Sequence, residues 1–155
     1  MRLSLQVQYA VCGVFDLAYN GHGHPVQIRV IGERQGIPAR YLEQIFQRLR
    51  RARLVTSKRG PGGGYTLARP AGDITLRDVV EAVEGPIEGR RRRPADSAGH
   101  DGNPADHGYR PSFLWPLLGQ RFAEVLAEQD FDAICRAAAR ESIRRAEGDA
   151  PMYFI

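Results

Sequence analysis

Cysteine is scarce in this 155-residue chain, which has two, Cys12 and Cys135, far apart in sequence. That is too few for a disulfide framework or for a zinc module built from the chain's own thiols. Long apolar runs are also missing. No stretch approaches the roughly eighteen consecutive apolar residues of a membrane span, and Gln6, Gln8 and Asp16 break the N-terminal apolar region, unlike the greasy segment of a signal peptide. These absences point to a cytoplasmic protein with no membrane partner. The length suits one domain, or one small domain with an appended segment, and excludes a long multidomain enzyme. Apolar residues at 43% and charged residues at 26% leave a core to bury, so wholesale disorder is excluded too. No internal repeat is present.

Acidic residues are rare in the first half. Residues 1–70 hold eleven Lys and Arg against three acids (Asp16, Glu33, Glu43), a net of +8, whereas residues 71–155 hold eleven against fifteen, a net of −4. A basic half joined to an acidic half is the pattern expected when one part tracks a polyanion, which makes nucleic acid the leading partner class. The alternative is a solvated basic face. Composition shifts again between Gly85 and Pro111, where nine of 27 residues are Gly or Pro and, alanines apart, only Ile87 and Tyr109 are apolar. This stretch reads as a linker between residues 1–84 and a helical region, 112–155.

Within the first region Val7, Ala10, Val11, Val14, Leu17 and Ala18 recur at helical spacing, predicting an amphipathic helix over 5–19. A second, short helix carries Ile28 and Ile31 inward and stops at Gly36. After Gly36-Ile37-Pro38 a third helix places Leu42, Ile45, Phe46 and Leu49 on one face, and Arg40, Tyr41, Gln44, Gln47, Arg48 and Arg51 on the other. Two short helices about a glycine turn, the second with an Arg-rich outer face, form the helix-turn-helix pattern. In a major groove Arg pairs with guanine, Gln with adenine, and Glu accepts from cytosine, so Arg40, Tyr41, Glu43 and Gln44 are placed at base edges. Arg48, Arg50, Arg51 and Arg53 lie further along; Arg48 and Arg51 join the DNA-binding set as phosphate contacts, and Arg50 and Arg53 either reach phosphate or only solubilise.

Leu54-Val55-Thr56-Ser57 and Tyr65-Thr66-Leu67 flank Lys58-Arg59-Gly60-Pro61-Gly62-Gly63-Gly64, which predicts a hairpin with a basic tip. Lys58, Arg59, Pro61 and Gly62 are its candidate DNA contacts, and Arg2 joins the DNA-facing set. A nucleotide-binding loop is the rival reading, but the lysine followed by Ser or Thr that closes a P-loop is missing. Thr75 and Asp78 then form a capping pair for a core helix through Val79, Val80, Ala82 and Val83. No nucleophile-and-base constellation is present, so an enzyme is not expected.

The run Glu33-Arg34-Gln35-Gly36-Ile37, the block Tyr41-Leu42-Glu43-Gln44-Ile45-Phe46 with Leu49-Arg50, the opening Met1-Arg2-Leu3-Ser4 and Arg59-Gly60-Pro61-Gly62-Gly63-Gly64-Tyr65 strongly resemble the Rrf-two family of bacterial winged-helix transcription regulators. The resemblance covers residues 1 to about 85, and Leu114-Trp115 with the following apolar helix resembles the family's dimerisation helix. It implies a homodimer on a roughly palindromic promoter site, with Tyr41, Glu43, Gln44, Arg59 and Pro61 at the family's DNA-contacting positions. Arg40 stands where relatives often carry a small polar residue, which implies a different preferred sequence.

Cluster-binding relatives carry three cysteines between the domain and the dimerisation helix, and residues 85–111 here contain none. Thiolate is the usual ligand of iron–sulfur clusters, so no cofactor is expected and a conventional cluster is not expected. His100 and His107, with Asp96, Asp101 and Asp106, are weak candidates for a harder metal, and a solvated loop is the plainer reading. His22 and His24 read as turn residues. The Arg90–Arg93 run is either a phosphate contact or a charged linker. Cys12 is a candidate redox sensor or a packed core thiol, and Cys135 is read as packing in the long C-terminal helix. On that helix Trp115, Leu118, Phe122 and Val125, with Leu126, predict a dimer seam, the alternative being docking within the chain. Met152-Tyr153-Phe154-Ile155 is too apolar for a free tail. The expected fold is thus mainly α with a small β-hairpin wing, a winged helix-turn-helix plus a long C-terminal dimerisation helix. The expected function is a homodimeric regulator, a repressor, binding promoter DNA. A regulator sensing metal through the loop histidines, or oxidants through Cys12, is the alternative.

Overall fold

The computed structural model describes residues 3–87, 111 and 113–146. Helix α1 (Leu5–Asn20) begins where the Ser4 side chain accepts a hydrogen bond from the Val7 amide, and it buries Val7, Ala10, Val14 and Leu17 at spacings of three and four. Helices α2 (Ile28–Gln35) and α3 (Ala39–Arg51) follow. Between them Gly36 adopts a φ of 65°, a left-handed conformation that closes α2 and that glycine takes without steric cost. The amide of buried Ile37 donates to the Gly32 carbonyl at 2.9 Å, and the chain turns directly into α3. This is the helix-turn-helix expected from the sequence.

On α3 Leu42, Ile45, Phe46 and Leu49 face the core. The Phe46 ring meets Tyr65 edge-on, with centroids 4.9 Å apart. Tyr65 belongs to a hairpin of two antiparallel strands, β1 (Val55–Lys58) and β2 (Gly64–Leu67), in which Val55 lies opposite Leu67 and Lys58 opposite Gly64. A short bridge fixes the hairpin to the α1–α2 connection: Val26 and Tyr65 exchange backbone hydrogen bonds of 2.9 and 2.8 Å. Gly64 makes this approach possible, since a Cβ there would lie 2.5 Å from the Val26 carbonyl oxygen. Helix α4 (Leu76–Glu84) starts with the expected capping box of Thr75 and Asp78 and buries Val79, Val80 and Val83.

The C-terminal region differs from the single long helix expected. It forms two helices, α5 (Leu114–Ala127) and α6 (Phe131–Arg140), and Cys135 lies on the second. The break has a tertiary cause. The Leu76 amide donates to the Gln129 carbonyl at 2.8 Å, the Phe131 amide donates to the Ile74 carbonyl at 3.0 Å, and Asp130 caps α6 by accepting from the Ala133 amide at 2.7 Å. Phe131 is fully buried, and with Leu126 it joins the core cluster formed by α1, α3 and α4. No helix among the described residues is long and apolar enough to cross a membrane.

Candidate nucleic-acid interface

Because the apolar residues of α3 are drawn into the core, its other side chains are left outward. Arg40, Tyr41, Glu43, Gln44, Gln47, Arg48, Arg50 and Arg51 are all exposed. Tyr41 is held in place from two sides: the Tyr9 ring lies 6.2 Å away, the Arg40 guanidinium sits 4.8 Å from the Tyr41 centroid, and Arg40 also donates to the Tyr41 hydroxyl at 3.1 Å. Glu43 and Gln44 have no side-chain partner among the described residues. Their hydrogen-bonding capacity is therefore available to a ligand. These residues lie in the first turns of α3, directly after Gly36 and the short turn.

The hairpin adds a second exposed element. Lys58, Arg59, Gly60, Pro61 and Gly62 all face solvent, and the turn is closed by a 2.9 Å bond from the Gly63 amide to the Gly60 carbonyl. Arg50 reaches back from α3 and donates to the Ser57 hydroxyl at 3.2 Å, tying the helix to the hairpin. Arg48 is also engaged within the chain. It donates to the Gln6 side chain at 2.9 Å and to the Val83 carbonyl at 3.1 Å, so it fastens α3 to α1 and to the end of α4. Arg51 is exposed, and Arg53, at φ 58°, closes α3 in the left-handed conformation usually given to glycine.

One residue that sequence reading passed over ties the helix-turn-helix to α1. Asp16 is fully buried on α1 and accepts hydrogen bonds from Asn20 at 2.9 Å, Gln35 at 3.0 Å and Arg34 at 3.3 Å. It thereby links α1 to α2. An acid inside an apolar helical stripe, four residues before Asn20, was the available signal.

The four residues read as a dimer seam do not share one environment. Trp115, Leu118 and Val125 are 66%, 50% and 59% exposed, while Phe122 is half-buried against the core. Phe113 and Leu117 extend the exposed apolar surface of this region. Large apolar side chains left in water are a common feature of interaction surfaces.

Cys12 is half-buried against the core, and burial pushes its thiol above the usual range; Cys135 is raised by burial and by nearby Asp132, against the lowering effect of Arg145. An oxidant sensor needs the opposite, a thiolate favoured at neutral pH. The described residues contain no group of three His, Cys, Asp or Glu side chains able to hold a metal. With one cysteine on α1 and the other on α6, the donor set does not fit an iron–sulfur group held by thiolates alone. Arg2, Arg90–Arg93, Asp96, His100, Asp101, Asp106, His107 and Met152–Ile155 lie outside the described residues.

The Rrf2 family, described as an iron-dependent transcriptional regulator, matches residues 3–137. The HTH-type transcriptional regulator IscR of Citrobacter koseri is 47% identical over 91 residues, covering 59% of this chain and 56% of that protein, so the chain spans little more than half the length of the curated relatives it matches. The fold is similar to T. potens IscR, with a TM-score of 0.68 and 33% identity over 96% of this chain and 94% of that one. It is also similar to CymR, the global cysteine regulator of B. subtilis, with a TM-score of 0.66 and 28% identity over 88% of this chain and 98% of that one. The helix-turn-helix, the hairpin wing and the match over residues 3–137 agree, and the chain belongs to the Rrf2 (Rrf-two) family of transcriptional regulators.

Proposed function

We propose that this regulator is a cytoplasmic homodimer that binds promoter DNA sequence-specifically and represses by occupying it. The observation that carries the reading is the exposed set Arg40, Tyr41, Glu43 and Gln44 at the start of α3, beside a hairpin tipped by Lys58 and Arg59. A helix of this kind enters the major groove with its N-terminal residues against base edges. There Arg40 donates to guanine, Gln44 pairs with adenine and Glu43 accepts from cytosine, with Tyr41 held for contact by Tyr9 and Arg40. Lys58 and Arg59 follow the backbone, while Pro61 and Gly62 allow the wing close to the groove. Arg51 and Arg2 supply phosphate contacts. Arg48 acts as a positioning residue through Gln6 and the Val83 carbonyl.

Residues 1–84 form the DNA-binding unit, 85–111 the linker and 112–155 the dimerisation region. The seam is built on Trp115, Leu118 and Val125, with Phe122 bridging between seam and core. DNA binding proceeds without a conventional iron–sulfur cluster, a reading supported by the two separated cysteines. Selection of duplexes from a random pool by the purified protein tests the whole proposal. A palindromic sequence is enriched, Tyr41→Ala and Arg59→Ala each weaken binding to it by roughly ten- to a hundredfold, and Leu118→Asp gives a monomer by light scattering that loses the full site. No enrichment of any sequence overturns the DNA reading, and a wild-type monomer overturns the seam.

A further inference from the structure

The α1–α2 turn carries two of the chain's four histidines, His22 and His24, and both are exposed. They line one open cleft of about 560 Å³ together with Arg29 and Arg34 of α2, and Gly62 and Gly63 of the hairpin form another part of its wall. The Val26–Tyr65 bridge holds the turn and the wing together as one piece.

The arginines bordering the histidines are already matched within the fold. Arg29 pairs with Glu33 at 2.7 Å and Arg34 with buried Asp16 at 3.3 Å, while Arg69, which lies beside His24 on another side, pairs with Asp78 at 3.1 Å. The other cations on the neighbouring elements are Lys58 and Arg59 at the wing tip, and Arg144 and Arg145 of the segment after α6, of which Arg145 stacks 4.5 Å over Tyr19. Among the described residues neither imidazole has a hydrogen-bond or ion-pair partner. Charge that this cleft can gain therefore resides on the histidines.

We infer that this cleft is a second DNA-backbone site, in which protonated His22 and His24 take the phosphates passing between α2 and the wing. The inference rests on the proposed DNA reading of α3 and the hairpin. In helix-turn-helix complexes the first helix of the pair crosses the backbone, which brings phosphates to the start of α2 and to the turn before it. Imidazole is the side chain that gains charge across the physiological range, and a phosphate favours its protonated form. Binding then takes up protons, so affinity is highest on the acid side of neutrality and declines as pH rises.

The test measures affinity of the full chain for a labelled duplex that it has selected from a random pool, at constant ionic strength, from about pH 6 to about pH 8. The variant is His22→Asn with His24→Gln, asparagine being chosen because residue 22 has a φ of 47° and Asn tolerates that conformation. Wild type binds about three- to tenfold more tightly at the acid end, with a steeper salt dependence there. The double variant matches wild type at the alkaline end and shows no gain in acid, whereas a His100→Gln, His107→Gln control keeps the full pH response. An unchanged pH response in the His22/His24 variant, or none in wild type, overturns the inference while leaving the DNA reading intact. Absence of duplex binding at every pH overturns both.

Discussion

Asp16 has no exposed surface, and both of its carboxylate oxygens are in use: Oδ1 accepts from Asn20 and Gln35, and Oδ2 accepts from Arg34, whose side chain is 27% exposed. A buried charge survives only when its partners replace the water it has lost, and here they do so from two helices at once. The same residue therefore fastens α1 to the C-terminal end of α2. Replacing it with Ala leaves the Gln35 amide and the Arg34 guanidinium short of an acceptor, and a loss of about 2–4 kcal/mol is expected, read as a lower urea midpoint with unchanged slope. Asp16→Asn keeps the shape and part of the hydrogen bonding, and falls between wild type and Ala. A negligible loss in the Ala variant would contradict this role.

At the scale of elements, the parts whose signals are local were legible in the sequence. Leu42, Ile45, Phe46 and Leu49 recur at helical spacing, Gly36 marks the left-handed close of α2, Thr75 and Asp78 lie three apart, and the Gly/Pro run between two β-prone segments marks the wing. Chemistry that depends on distant partners was not legible. Asp16 meets Arg34 and Gln35 across 18 and 19 positions, and the bridge of Val26 to Tyr65 spans the helix-turn-helix, so neither has a periodic trace. The same cause hid the end of α5: apolar spacing runs on from Leu126 to Ile134, but backbone bonds from Leu76 and to Ile74 interrupt the helix at Gln129–Phe131. Asp130 was the local signal for a new helix start. Its replacement by Ala removes the cap on α6 and is expected to cost about 1 kcal/mol, seen as lowered thermal stability without change in the exposed side chains of α3.

For the whole molecule, charge and apolar surface are sorted onto different parts of the chain. The +8 of residues 1–70 sits on the region that holds α3 and the wing, whereas the apolar side chains of Trp115, Leu118 and Val125 are displayed on α5. A chain built this way can hold two copies together by one surface and present a basic surface from each to a polyanion. The electrostatic signature of DNA binding is the dependence of affinity on salt, because each neutralised phosphate releases counterions. Anisotropy titrations of the selected duplex over a range of salt concentrations test it most directly. Wild type is expected to show a steep linear fall of log affinity with log salt, and Arg59→Ala a slope smaller by about one, as befits the loss of one phosphate contact. Affinity that does not change with salt would contradict DNA binding.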